Sequence, residues 1–302
     1  MTTRGSSSDV RRAGCAALKY LVFGARGQLG GDLVDAGIRE DHEMVGLTQA
    51  KCDIRDARAV ARWIGSVRPD AVINAAAWTR VDAAEDHEAE AEAVNATGAG
   101  VVAAACAEAG IRCCHVSTDY VFDGSASSPI PETAVAAPRS AYGRTKWHGE
   151  VAVRERCADH LIVRTSWLYG RQGPNFVLTM LRLGAERPQL RVVADQRGAP
   201  TWTGHLAPAV IRLLEVGPPG TYHLSNRGTT TWYDLAIAAI RARGLGAEVL
   251  PITTAEYPTP ALRPAYSVLD NRAWRELGEP PLPEWTEGLR AYLATLDAGG
   301  PR

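Results

Sequence analysis

Leu18-Lys19-Tyr20-Leu21-Val22-Phe23-Gly24-Ala25-Arg26-Gly27-Gln28-Leu29-Gly30 is the stretch that decides the fold. A short apolar run stops at glycines spaced three apart, and an amphipathic segment follows from Gly31 to about Ile38. That pattern is strand, glycine turn, helix. Gly24, Gly27 and Gly30 suit a tight turn, close approach of backbone to a pyrophosphate, and packing of helix on strand. Phosphates would then rest on the N–H groups where the helix begins, at Gln28 and Leu29. A glycine-rich turn alone is a weak signal; its place directly after the first strand strengthens it.

Working outward, Met44–Thr48 reads as the second strand. A site that prefers NAD usually ends this strand in Asp or Glu, which binds the ribose 2′-hydroxyl. Thr48 stands there instead, and Arg26 in the turn would tolerate a 2′-phosphate. The cofactor expected is NADPH, with NADH as second candidate; Arg26 reads equally well as a plain surface arginine. Asp53 and Ile54 follow, then a helix from Ala57 to Val67, a turn at Pro69-Asp70 and a strand to Asn74. Ala75, Ala76 and Ala77 come next, small residues against which a cofactor could lie. The acidic, alanine-rich run Asp82–Ala107 reads as helix, with Asn95 inside it as a candidate cofactor contact. The buried strand Ile111–Val116 delivers Ser117, Thr118 and Asp119 at its C-terminal end, the edge off which ligands bind in open parallel sheets. His115 precedes that edge and reads as a packing residue.

Leu161–Ser166 is another strand, and Gly220–Leu224 rejoins the sheet after a helix from Leu206 to Leu214. Helices connecting strands make the sheet largely parallel. The expected class is α/β, a Rossmann doubly wound parallel sheet with a smaller C-terminal substrate-binding lobe. Residues 18–166 form the dinucleotide-binding part, to which 205–225 return. Residues 167–204 and 226–302 form the lobe, helix and loop from Thr230 onward, rich in prolines that suit loops contacting a substrate. Residues 1–17, with Ser, Gly and Arg and no apolar core, read as a disordered tail.

Tyr142 and Lys146 stand four apart in a segment without internal proline, so a helix would stack both on one face. At roughly 4 Å and an effective dielectric of about 20, the ammonium favours phenolate by about 4 kcal/mol. At about 1.4 kcal/mol per pH unit, that would draw the phenol from about 10 toward neutrality. An acid poised there suits reduction of a ketone. Tyr-x-x-x-Lys alone is common helix surface; its company gives it weight.

The 302 residues can bury a large core, and 46% hydrophobic with 22% charged residues is ordinary for a soluble globular protein. A net charge of -1 gives no case for nucleic acid or an anionic membrane surface. No apolar run is long enough to span a membrane. The six cysteines form no Cys-x-x-Cys or metal-ligand spacing and read as reduced thiols of a cytosolic enzyme. No metal site is expected.

Together, Gly24–Gly30, Asn74–Ala77, Ser117–Gly124, Tyr142–Lys146 with Gly149-Glu150, and Arg164–Gly170 resemble the dTDP-4-dehydrorhamnose reductase family. This is a branch of the extended short-chain dehydrogenases/reductases. Asp195–Thr201, Gly228–Trp232 and Tyr257–Pro264 carry the resemblance into the second lobe. It implies reduction of the C4 ketone of a dTDP-linked 4-keto-6-deoxy hexose in the cytoplasm, with a homodimer as an open arrangement. Tyr142 would protonate the C4 oxyanion, Lys146 would hold the nicotinamide ribose, and Thr118 would donate to the ketone. Thr79, Val81, Asp119, Tyr120 and Trp167 would surround the hexose. Asn175, Gln196, Thr201 and Arg263 would supply polar and diphosphate contacts; Asp53 and Ile54 would flank the adenine. Blander roles stay open: Trp167 as core, Asp119 as a turn cap, Arg263 as a solvated loop residue. Trp78 departs from the family's usual tyrosine or histidine. Two alternatives remain: dTDP-dihydrostreptose synthase or another antibiotic deoxysugar reductase, and a non-catalytic NADP-binding regulatory subunit of methionine adenosyltransferase. Intact Thr118, Tyr142 and Lys146 argue against the second.

Overall fold

The computed structural model describes residues 17–298; most of the expected N-terminal tail lies outside them. In chain order the first half runs β1 (Lys19–Phe23), α1 (Gln28–Arg39), β2 (Glu43–Leu47), α2 (Ala57–Val67) and β3 (Ala71–Asn74). Then come α3 (Ala83–Asp86), α4 (Glu88–Glu92), a π-helical turn (Ala93–Gly98), α5 (Ala99–Ala109), β4 (Arg112–Thr118), α6 (Ala141–Arg156) and β5 (His160–Thr165). The second half begins with β6 (Leu168–Tyr169), α7 (Phe176–Glu186), β7 (Gln189–Val193), β8 (Arg197–Gly198), β9 (Thr201–Trp202), α8 (Thr203–Val216) and β10 (Gly220–His223). It ends with β11 (Thr230–Thr231), α9 (Trp232–Ala242), β12 (Glu248–Ile252), α10 (Arg272–Glu276) and α11 (Trp285–Ala298).

Six strands form one sheet in the order β10-β5-β4-β3-β1-β2, and every neighbouring pair is parallel. The strands read as unbroken apolar runs because both faces are covered. Tyr20, Val22, Ile73, Leu161 and Val163 pack on α1 and α8. Leu21, Phe23, Val72, Cys113 and Ile162 pack on α2 and α5 through Val60, Ile64, Val102 and Cys106. Alternate residues of each strand thus serve opposite cores. β1 and β3 are adjacent although β2 and α2 come between them in sequence, so the chain reverses direction across the sheet there. A crevice opens at that switch point, beyond the strands' C-terminal ends.

Local chemistry sets several element ends. Asp56 caps α2 by accepting from the Ala59 N–H, and Ser140 caps α6 by accepting from the Gly143 N–H. The expected single helix Asp82–Ala107 is interrupted: the backbone leaves helical geometry at His87 and widens into the π turn. That turn carries the Asn95 carbonyl against α6 so closely that a Cβ on Gly149 would lie 2.1 Å from it. Strand β4 runs two residues beyond Val116, so Ser117 and Thr118 lie within it.

The second half is more than helix and loop. β12 pairs in parallel with β7, a strand pair that short, weakly alternating sequences did not announce. Met180, Leu190, Val192, Ala236 and Ile240 bury its inner face. Tyr169, Val177, Leu235, Tyr292 and Leu293 form a further core joining α7, α9 and α11.

Candidate active site

A cavity of about 960 Å³ opens at the switch point, at the top of the size range of ligand sites. Gly24 stands at its floor with φ +82°, and a Cβ there would sit 2.6 Å from the Ala76 nitrogen. Only glycine satisfies both conditions. A Cβ on Gly30 would meet the Gly24 carbonyl oxygen at 2.1 Å, so Gly30 seats α1 on the turn and does not line the cavity. Gly27, the residue before α1, offers no side chain to cap the helix, whose first turn opens on the cavity. An uncapped helix start behind a glycine turn fits the pyrophosphate of a dinucleotide. Arg26, Gln28 and Leu29 line this end, with Thr48, Gln49, Asp53 and Ile54 beyond β2 and Ala75–Ala77 after β3. Arg26 has no side-chain partner among the described residues, whereas Asp53 is tied to Arg55. The residues present therefore fit a dinucleotide, and a 2′-phosphate has an arginine at hand.

At the far end of the cavity, Thr118, Tyr142 and Lys146 share one wall with Asp119 and Tyr120. Ser117 and Thr118 arrive on β4, while α6 supplies Tyr142 and Lys146 one turn apart. Tyr120 and Tyr142 meet edge to face at 5.5 Å. Burial pushes the Tyr142 phenol up to about 12, against a hydrogen bond with Thr118 and with a further push from Asp119. Lys146 does not enter. Its ammonium donates to the Val116 carbonyl at 2.6 Å and stands 3.3 Å from His115 Nε2. Burial draws that ammonium down to about 8, against the Glu150 carboxylate. The expected pull of the lysine on the phenol is thus corrected: the four-residue spacing is right, but the amine is held by β4.

His115 packs as read, and it also faces the lysine. Burial, and then the Lys146 charge, hold it well below the ordinary value, so it is neutral beside the ammonium. Beneath the wall, Glu150 is fully buried and takes Ser117 at 2.6 Å and both arms of Arg164. Burial opposes its ionisation, but Arg164, Ser117 and Arg154 outweigh that and keep it below the usual carboxylate range. This network braces the end of β4 from which Thr118 projects.

Thr79, Val81 and Trp167 line the cavity as well. Trp167 is held at φ +48° and stacks on Trp232 of the second lobe, 3.5 Å between centroids and 4° between planes. Trp232 was missed as a site residue although it closes the quoted run Gly228–Trp232; nothing local links it to Trp167. Arg80 was also missed. It lines the cavity between Thr79 and Val81, its guanidinium 4.4 Å above the Trp78 ring with no carboxylate partner among the described residues.

Five other expected contacts lie outside the cavity. Asn95 is fully buried and holds the Trp78 backbone N–H at 2.8 Å and the Thr145 hydroxyl at 3.0 Å, so it shapes the wall from behind. Asn175 caps α7 and donates to Gly170 and Tyr292. Gln196 accepts from the Trp232 indole at 3.1 Å, steadying the stack. Thr201 is buried against Ala199 and Asn226. Arg263 is no free fork: both its arms grip Asp82 across 181 residues, at 2.8 and 2.9 Å, and it also meets the Thr259 hydroxyl. Each is a positioning contact because its polar atoms are already spent on protein partners.

Away from the cavity, Glu40, His42 and Glu215 bring ligand-type atoms within 4.8 Å of one another. His42 Nδ1 accepts the Leu18 N–H, so its lone pair is already spent, and Nε2 faces Glu215 at 3.3 Å.

The chain matches known proteins over most of its length. The family model described as RmlD substrate binding domain covers residues 18–298. The chain belongs to this family. Its RmlD-type sequence is 44% identical to a spore coat polysaccharide biosynthesis protein of Bacillus subtilis, over 91% of this chain and 96% of the relative. It is 43% identical to the dTDP-4-keto-6-deoxy-D-glucose reductase of Streptomyces niveus, over 93% of this chain and 98% of the relative. A solved dTDP-4-dehydrorhamnose reductase of Bacillus anthracis, in complex with NADP, superposes with a TM-score of 0.90 at 37% identity. That match spans 93% of this chain and all of the other. The RmlD family is thus the one its motifs resemble, and the Rossmann-like architecture is common to both readings.

Proposed function

We propose that the protein is an NADPH-dependent reductase of the C4 ketone of a dTDP-linked 4-keto-6-deoxy hexose. The observation that carries this reading is the convergence of Thr118, Tyr142 and Lys146 on one wall of the cavity whose other end is the glycine turn. Relatives that bear the names of dTDP-keto-sugar reductases support the substrate class. The NADP complex of the Bacillus anthracis relative, and Arg26 without a side-chain partner among the described residues, support NADPH over NADH.

Residues from Gly24 to Leu29 would hold the pyrophosphate, Arg26 the 2′-phosphate, and Lys146 the nicotinamide ribose. Reduced nicotinamide supplies the hydride for C4. Tyr142 keeps its proton at working pH, since burial holds it to about 12. It still gives that proton up to an alkoxide, a far stronger base than phenolate, so the transfer runs downhill. Thr118 donates to the ketone oxygen and fixes its position between the two hydroxyls. Trp167, Trp232, Thr79 and Val81 exclude water from the hexose. With Arg263 committed to Asp82, Arg80 is the cation left to meet the substrate diphosphate.

Along the chain we assign residues 18–166 and 205–225 to the dinucleotide and 167–204 and 226–302 to the sugar nucleotide. Among the described residues no helix is long and apolar enough to cross a membrane. The five cysteines among the described residues are free and buried, which suits a reducing cytoplasm. A role in antibiotic deoxysugar formation is the finer reading proposed; two similar proteins named as dTDP-sugar ketoreductases come from Streptomyces.

Incubation with a dTDP-4-keto-6-deoxy hexose and NADPH should consume NADPH and yield a C4 alcohol identified by NMR. Binding of NADPH without turnover of any such sugar would leave the non-catalytic alternative standing and end this reading.

A further inference from the structure

Thr118 carries one hydroxyl hydrogen and two lone pairs. In the structure its Oγ1 gives that hydrogen to Asp119 Oδ1 at 3.0 Å and accepts the Tyr120 N–H at 3.2 Å. While this holds, nothing remains for a ketone oxygen. A hydroxyl cannot serve the carboxylate and the substrate together.

Asp119 is itself 1% exposed and lines the cavity. Its second oxygen, Oδ2, makes no hydrogen bond of good geometry among the described residues. The groups that face it are few. The Ser267 hydroxyl approaches from the second lobe, Tyr142 from α6, and Tyr120 from the neighbouring position. Beyond Tyr120 lies Arg263, already paired with Asp82. Lys146 directs its ammonium to the Val116 carbonyl.

We propose that Asp119 is a positioning residue whose proton decides where the Thr118 hydroxyl points. Charged, Asp119 keeps the Thr118 hydrogen for itself. Neutral, it becomes a donor: the carboxyl O–H is given to Thr118 Oγ1, and the threonine hydrogen is released toward the ketone. The accounting then closes. With the Tyr142 phenol turned from Thr118 to the substrate oxygen, Thr118 accepts from Asp119 and Tyr120 with its two lone pairs and donates its one hydrogen to substrate. No bond is made or broken at Asp119 in the reduction; its proton stays within the hydrogen bond. The inference rests on the ketoreductase reading for its catalytic consequence. The Asp119–Thr118 coupling stands apart from it.

Burial pushes the Asp119 carboxyl up to about 6, against hydrogen bonds from Ser267, Thr118 and the backbone. Both forms are therefore accessible near neutral pH. Removing the Thr118 hydroxyl removes a hydrogen bond to the charged form, which should raise the titration midpoint further.

The test has two arms on the full-length protein. In the first, aspartate is labelled with 13C at the carboxyl carbon, the signal is assigned by its loss in Asp119→Asn, and it is titrated in wild type, Thr118→Val and Thr118→Ser. The expected midpoint is near 6 in wild type, higher in Thr118→Val and restored in Thr118→Ser. An ordinary carboxylate midpoint, or one unmoved by Thr118→Val, overturns the coupling without reference to any substrate. In the second arm, kcat for the dTDP-4-keto sugar is followed against pH. Wild type should gain activity severalfold as pH falls from 8 toward 5. Asp119→Asn, whose amide donates to Thr118 at every pH, should lack that rise. A wild-type rise preserved in Asp119→Asn overturns the proposal. Absence of any ketoreduction overturns the functional reading instead and leaves the first arm to decide the coupling.

Discussion

The rings of Trp167 and Trp232 lie parallel, 3.5 Å apart between centroids, and join the first strand-turn of the second half to α9. The stack is enforced from below, since a Cβ on Gly198 would meet the Trp167 ring at 2.3 Å. From the side, Gln196 accepts the Trp232 indole N–H. An aromatic pair contributes about 0.5–1.5 kcal/mol beyond its buried area. Trp232→Leu should therefore destabilise the protein only modestly and raise KM for the sugar nucleotide, with NADPH affinity little changed. Steady-state kinetics beside calorimetric NADPH titration separate the two effects. A rise confined to the cofactor constant would show that the stack serves the wrong ligand.

Tyr142→Phe removes the phenol hydrogen and leaves ring packing against Tyr120 intact. Turnover should fall at least about a hundredfold, the low end of general-acid contributions. NADPH affinity should stay within a few-fold. A variant with most of its turnover retained would take the acid role away from Tyr142.

Lys146→Met removes the donor to the Val116 carbonyl and the charge beside neutral His115. Both NADPH affinity and turnover should drop. Unchanged affinity in fluorescence titration would contradict a ribose contact and leave the lysine a tie between α6 and β4.

Gly24→Ala forces a side chain into φ +82° and 2.6 Å from the Ala76 nitrogen. The conformational cost alone is about 1–2 kcal/mol, before the clash. Urea denaturation should show a lower midpoint, and dinucleotide binding should be lost. An unchanged midpoint would mean that β1 and β3 are not as close as described.

His223 is buried neutral: Nδ1 faces the Ile130 carbonyl at 3.1 Å and Nε2 faces Arg164. Burial, and then Arg164, draw it down to about 3. Between about 3 and the ordinary 6.5 the unfolded chain holds a proton that the folded chain lacks, so stability rises with pH across that window and falls on acidification. Asp119, raised from 3.8 to about 6, acts in the opposite direction between those values, within the same window. The comparison is therefore made within one position. His223→Gln keeps a donor and an acceptor but no titration. From pH 8 to 5, wild type should lose about 2 kcal/mol more than the variant. Equal losses would show that His223 is not held neutral.

The order of strands and helices, the glycine turn and the Tyr142–Lys146 spacing were legible in the chain because their causes are local. Apolar runs covered on both faces, a residue needed at positive φ and a one-turn repeat are properties of neighbours in sequence. The broken helix around His87 and the β7–β12 pair were not, since neither has a local pattern stronger than its alternatives. Tertiary structure alone decided what the polar side chains do. Asn95, Asn175, Gln196 and Thr201 have the chemistry of ligand contacts, yet partners brought in by folding use that chemistry first. Arg263 finds Asp82 from 181 residues away, Lys146 finds a carbonyl on β4, and Thr118 finds Asp119 beside it at the buried end of that strand. A side chain's type is written in sequence, but whether its hydrogen bonds remain free depends on what the fold places within 3 Å of it.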